Sequence, residues 1–240
     1  MYHAPYKLLE NTMKIFLHII LCLLFLCTTP AQAQNNIDPV KFQKTINELN
    51  RLKPLQNPRY KLSKKILYSH IVDRKNKTIG KLEDILITEN GDISSLFVSF
   101  DRMHLRNSVY LNYQNLDIIG TGSGYKLDID KKEVANIYPN LLANIETAAG
   151  QSNIVSLSSL LGKNVYNAKN ERIAKIQDIL FDQYGEKIKA IYLNVGYKNT
   201  RNKGVSIPYT ALNIENNNGY IKLSINQDLS DIIVKYAKNK

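Results

Sequence analysis

Cysteine is nearly absent from this chain. Cys22 and Cys27 are the two in 240 residues, and both lie near the beginning. Beyond residue 33 the chain therefore has no disulfide, no thiol nucleophile and no cysteine metal ligand. Histidine is almost as scarce: of four, only His70 and His104 lie past residue 33. A zinc site would need both of them plus carboxylates, and no short ligand spacing links them. Tryptophan is missing altogether, while fifteen tyrosines sit mostly at positions patterned as core. Glycine numbers eleven, and none of it forms a Gly-x-Ser-x-Gly elbow, a phosphate loop or a dinucleotide fingerprint. Gly120, Gly122 and Gly124 fall in a turn before a strand, so they offer no helix N-terminus to a phosphate. These absences assign no catalytic residue, no metal and no cofactor, and the expectation is a protein that is not an enzyme.

Long apolar runs are also lacking, with one exception. Ile15 to Cys27 is apolar apart from His18. That run is shorter than the about 20 residues of a spanning helix. Lys14 precedes it and Ala31-Gln32-Ala33 follows, the pattern of an export signal cleaved before Gln34, with Met13 as the start. The expected location is periplasmic, an uncleaved membrane anchor being the competing reading. Removing residues 1–33 lowers the basic count from 32 to 30 and the acidic count from 21 to 20, leaving +10 of the original +11. A basic balance favours anionic partners such as lipid head groups, acidic polymer or nucleic acid.

What the chain does contain is a repeat. Ile79-Gly80-Lys81-Leu82-Glu83-Asp84-Ile85-Leu86 returns as Ile173-Ala174-Lys175-Ile176-Gln177-Asp178-Ile179-Leu180. Val109-Tyr110-Leu111-Asn112-Tyr113 returns as Val205-Ser206-Ile207-Pro208-Tyr209. A period this long describes a duplicated domain and not a solenoid. In each copy apolar residues alternate as in half-buried strands: Leu96, Val98 and Phe100, then Val109, Leu111 and Tyr113; later Ile191, Leu193 and Val195, then Val205, Ile207 and Tyr209. Asn90-Gly91, Tyr184-Gly185 and Asn218-Gly219 supply turns. Pro208 predicts an edge or a bulge, because proline cannot donate to a ladder. Each copy closes on a helical stripe, Val134 to Leu142 and Leu229 to Tyr236, the first capped by Asp130 with Glu133. Asp38-Pro39 starts a short amphipathic helix that either packs on the first copy or stands free.

Leu161-Gly162-Lys163-Asn164-Val165-Tyr166, Ile176-Gln177-Asp178-Ile179-Leu180 and Val205-Ser206-Ile207-Pro208-Tyr209, in this order and spacing, resemble the PRC-barrel family. The first copy lacks the leading Leu-Gly and has Asn112 where the family has proline. The resemblance implies a mostly β chain: two tandem small antiparallel β-barrels, each ending in a short helix, after an N-terminal signal and one short helix. The expected boundaries are 1–33 for the signal, 34–58 for helix and linker, 59–147 for the first barrel, 148–156 for a linker and 157–240 for the second. The family occurs in the reaction-centre H subunit and in a ribosome-maturation factor, where the barrel resembles a binding module and not a catalyst. Fold follows from such a likeness more firmly than function.

Two features bear on chemistry. Glu83 and Asp84 form an acidic pair, but adjacent strand residues point to opposite faces, and only the aspartate recurs, as Asp178. The expected role is a bond to nearby backbone. More suggestive are two basic loops at matching places, Arg102, His104 and Arg106 in the first copy and Tyr197, Lys198, Arg201 and Lys203 in the second. Loops on a rigid scaffold commonly carry recognition. The expected function is an exported interaction module that binds an envelope protein. The alternatives are a binder of anionic lipid or polymer and, by family analogy, an RNA- or ribosome-associated factor. Nucleic acid is the disfavoured partner, since no aromatic RNA-stacking signature accompanies the charge. Pairing is expected either within the chain, between the two barrels, or as a homodimer.

Overall fold

The computed structural model describes residues 37–143, 154–196, 202–217 and 219–240. The stretch read as an export signal, Asn218 of one turn, and most of the expected link between copies lie outside them. Ile37–Lys240 form one compact unit.

Helix α1 (Pro39–Arg51) begins as expected: the Asp38 carboxylate accepts the Val40 N–H at 2.9 Å and proline occupies the first turn. The first half then runs β1 (Lys61–Leu62), α2 (Ser63–Ile66), β2 (His70–Val72), β3 (Thr78–Thr88), β4 (Ile93–Ser99), β5 (Val109–Asn112), β6 (Ile119–Gly120), β7 (Gly124–Lys126) and α3 (Lys131–Ala143). The second half repeats the series: β8 (Ile154–Ser156), α4 (Leu157–Leu160), β9 (Asn164–Tyr166), β10 (Arg172–Phe181), β11 (Ile188–Val195), β12 (Lys203–Pro208), β13 (Asn213–Asn217), β14 (Tyr220–Ser224) and α5 (Gln227–Lys238).

Each half builds one sheet, and the strand orders correspond. The first is β5-β4-β3-β2-β7-β6 and the second β12-β11-β10-β9-β14-β13. Two closed antiparallel barrels were the expectation, and the structure corrects it: both sheets are open and mixed. β2 pairs with β7 and β9 with β14 in parallel, while all other pairs are antiparallel. In the second half the free edge of β12 is taken by a side chain. Asn50 of α1 donates to the Ser206 carbonyl at 2.9 Å and accepts the Ser206 N–H at 2.9 Å. One carboxamide thus stands in for a neighbouring strand, one way of covering an exposed edge. Phe42 and Ile46, on the same face of α1, are fully buried beside it. The helix therefore packs on the second half and not on the first, even though it precedes the first in sequence.

The leading strands are exchanged. β1 pairs with β10 of the second sheet, Leu62 opposite Leu180. β8 pairs with β3 of the first sheet, Ser156 opposite Leu86. At these places β3 and β10 each carry a bulge, where the register skips one residue before Asp84 and before Asp178. A bulge re-aims the side chain that follows it. Both carboxylates turn to the incoming segment. Asp178, 4% exposed, accepts the Ser63 hydroxyl at 2.5 Å and the Ile179 N–H at 2.9 Å. Asp84 accepts the Ser156 hydroxyl at 2.6 Å, the Ser158 hydroxyl at 2.5 Å, the Ser158 N–H at 3.0 Å and the Ile85 N–H at 2.8 Å.

The hairpin turns extend the junction. The Tyr125 hydroxyl donates to the Gly185 carbonyl at 2.6 Å, and the Tyr209 hydroxyl to the Thr88 carbonyl at 3.2 Å. The Ile188 N–H donates to the Gly91 carbonyl at 3.1 Å, beside a Lys187–Asp92 ion pair at 2.8 Å. Gly120 meets the Tyr184 carbonyl so closely that a Cβ there would lie 2.1 Å from its oxygen. Only glycine fits that approach. The buried apolar residues of both halves form one continuous core.

Candidate functional site

The basic turn of the first half grows out of β4. After the buried Phe100, residues Asp101–Met103 make a single 3-10 turn, with the Met103 N–H on the Phe100 carbonyl at 2.7 Å. His104 follows at φ 61° and its N–H closes on the Asp101 carbonyl at 2.9 Å. That left-handed step reverses the chain, and the side chains alternate across it. Met103 and Leu105 turn inward against the core, while Arg102, His104 and Arg106 are exposed. The far end is clamped to α3. The Tyr138 hydroxyl accepts the Asn107 N–H at 3.0 Å and donates to the Asn107 carbonyl at 2.8 Å. Sequence reasoning placed Tyr138 in the core stripe and missed this clamp; its hydroxyl is the signal, since a buried tyrosine O–H usually finds a partner.

The structure brings Arg102, His104 and Arg106 together on one turn. Of the second-half residues, Tyr197, Lys198 and Arg201 lie outside the described residues. Lys203 stands in β12 opposite Val195, half-buried, and so belongs to a strand instead of a loop tip. Nearby, the phenol of Tyr192 covers Gly204 so closely that no Cβ would fit.

The simple alternation expected of the acidic pair is interrupted, because the register skips Glu83, and Asp84 turns to the exchanged segment. His70 is exposed on β2, opposite Lys81. Among the described residues no three His, Cys, Asp or Glu side chains gather as a metal site. Among them, too, no helix is long and apolar enough to cross a membrane. Helix α3 opens on the expected capping box: Asp130 accepts the Lys132 and Glu133 N–H groups at 2.8 and 3.1 Å, and the Glu133 carboxylate accepts the Asp130 N–H at 2.6 Å. The bond from the Glu133 amide leads the influences that hold the Asp130 carboxyl below its ordinary range.

Two mixed sheets of corresponding strand order trade their leading strands, and one of them carries a firmly anchored basic turn. The model of one family, the PRC-barrel domain, matches residues 152–230. No curated protein matches the chain. The matched stretch begins just before β8, which is hydrogen-bonded to the first sheet. The family unit in sequence is therefore not the hydrogen-bonded unit in space.

Proposed function

We propose that the chain is a non-enzymatic interaction module that works outside the cytoplasm and binds an acidic protein of the cell envelope through Arg102, His104 and Arg106. The observation that carries this reading is the anchoring of their turn. Phe100, the inward Met103 and Leu105, and the Tyr138 clamp hold the backbone before any partner arrives. A preordered loop loses less freedom on binding. Arginine grips carboxylates with two parallel hydrogen bonds, which makes an acidic segment the matching chemistry. The apolar run from Ile15 to Cys27, followed by Ala31-Gln32-Ala33, supports export. The first half is a second, diverged PRC-barrel copy in this reading, supported by the internal repeat and the corresponding strand order. A second reading, binding to anionic lipid or polymer, draws on the net charge of +11.

The test is crosslinked capture from an envelope extract at low and high salt. The protein retains one acidic partner at both, and Arg102→Ser combined with Arg106→Ser releases it without changing the melting temperature. Undiminished capture by the double variant overturns the reading. Retention of only anionic lipid or polymer, lost at high salt, favours the second.

A further inference from the structure

A groove of about 710 Å³ opens in the first half between the start of β3, the turn after β4 and the first turn of α3. Small-molecule sites typically occupy about 300–1,000 Å³. Lys75, Lys77, Lys131 and Lys132 line it, all of them exposed. Ile79, Met103, Leu105 and Ala135 supply apolar surface between them. Asp73 and Asp130 also contribute; both accept backbone N–H groups, and the Asp130 carboxylate also lies 4.0 Å from the Lys75 ammonium. Asp73 is buried and accepts the Lys75 and Lys77 N–H groups at 2.9 and 2.8 Å, and Asp130 caps α3.

The second half acts as an internal control. Asn167 makes the same turn as Asp73, accepting the Lys169 and Glu171 N–H groups at 3.0 and 2.9 Å. Asn226 caps α5 as Asp130 caps α3. The positions therefore correspond, and Lys75, Lys77, Lys131 and Lys132 match Lys169, Glu171, Gln227 and Asp228. With the two turn-and-cap residues included, four lysines against two aspartates give +2 in the first half. One lysine against Glu171 and Asp228 gives −1 in the second. The backbone devices are kept while the charge changes sign. The fold does not require these lysines; Lys75 is shared with Asp130, and the exposed Lys77, Lys131 and Lys132 are left to meet a ligand.

We propose that this groove binds a single-chain anionic amphiphile, its acyl chain along Met103, Leu105 and Ile79 and its phosphate or carboxylate head group among the four lysines. An apolar floor with a few convergent charges is the usual build of such a site. The site lies beside the Arg102 turn but does not depend on the function proposed for it.

Met103 is the single methionine beyond residue 13 and reports on the groove directly. The purified protein, with isotope-labelled methionine methyls, is titrated with dodecyl phosphate below its micelle concentration. Inorganic phosphate and dodecyl maltoside serve as comparisons. Dodecyl phosphate shifts the Met103 signal and binds less tightly as salt rises. Carrying the second-half residues into the groove, Lys77→Glu with Lys131→Gln and Lys132→Asp, weakens it by roughly tenfold or more through lost attraction. These exposed changes leave melting unchanged. An unmoved Met103 signal, or equal affinity in the triple variant, overturns the proposal. So does equal binding of dodecyl maltoside, which marks a merely apolar groove, or of inorganic phosphate, which marks a plain anion site.

Discussion

The two halves share a strand order and an exchange of leading segments, yet they secure that exchange differently. In the second sheet a single buried serine, Ser63, reaches a buried carboxylate, Asp178. In the first, Ser156 and Ser158 flank a half-exposed one, Asp84. Their edges differ as well, since α1 covers β12 of the second half and leaves the first half with its basic turn and groove. The two halves share a backbone plan but differ in burial, edge cover and charge. The half covered by α1 is the one the family model matches, and the other carries the candidate sites.

The sharpest way to break this account is at the closest approach of the halves. Gly120→Ala forces a Cβ onto the Tyr184 carbonyl, a backbone atom with no rotamer to yield, and is expected to cost about 3 kcal/mol. Gly219→Ala, with nothing within 4 Å, costs only about 1 kcal/mol for its left-handed backbone. Denaturant melts that rank the two equally would contradict the close junction. Next come the aspartates. Asp178→Ala strands the buried Ser63 hydroxyl hydrogen and leaves the Ile179 N–H only its longer bond to that hydroxyl, 3.3 Å, and is expected to cost about 2 kcal/mol. Asp84→Ala breaks more bonds but leaves groups that water can reach, for about 1 kcal/mol. A reversed order in urea unfolding would show that bond number outweighs burial.

Asn50→Ala removes the carboxamide that closes the β12 edge and is expected to cost about 2 kcal/mol. Hydrogen exchange at Ser206 should rise in that variant while Tyr110, its first-half counterpart, stays unchanged. The smallest expected effect is alkaline. Burial foremost, then the neighbouring Tyr113, Asp182 and Glu186, holds the Tyr125 phenol well above its ordinary 10.0. Burial, then Glu89, raises Tyr209. The folded state thus keeps protons that the unfolded chain loses above pH 10, so stability is full below that pH and falls as pH rises past it. A melting temperature that stays flat from pH 9 to 11 would speak against tyrosines holding the junction.

Much of the architecture was legible in the sequence. The repeat, the alternating strands, the Asp38-Pro39 start and the Asp130–Glu133 capping box are local patterns, and local patterns survive in a linear reading. Pro208 ends β12 at the edge of its sheet, as its missing donor requires. The exchange was not legible. Asp84 and Asp178 align in the repeat, but their serine partners do not: Ser63 corresponds to Leu157, and Ser156 to Leu62. Which sheet β1 or β8 joins depends on contacts more than a hundred residues away for Ser63 and Asp178, and periodicity carries no such information. Open, mixed sheets escaped for the same reason, because the alternation of a strand is silent about its neighbours. The groove lysines were scattered in sequence and were gathered only by the fold, although Lys77 against Glu171 already hinted at divergence.

Disulfide trapping tests the exchange most directly, in a chain with Cys22 and Cys27 replaced by serine. Ser156→Cys is paired either with Leu86→Cys, its observed neighbour across the halves, or with Leu180→Cys, the partner it would have if each half kept its own leading strand. The account predicts a disulfide within the monomer for the first pair and none for the second. Ready closure of the second pair with failure of the first would contradict it.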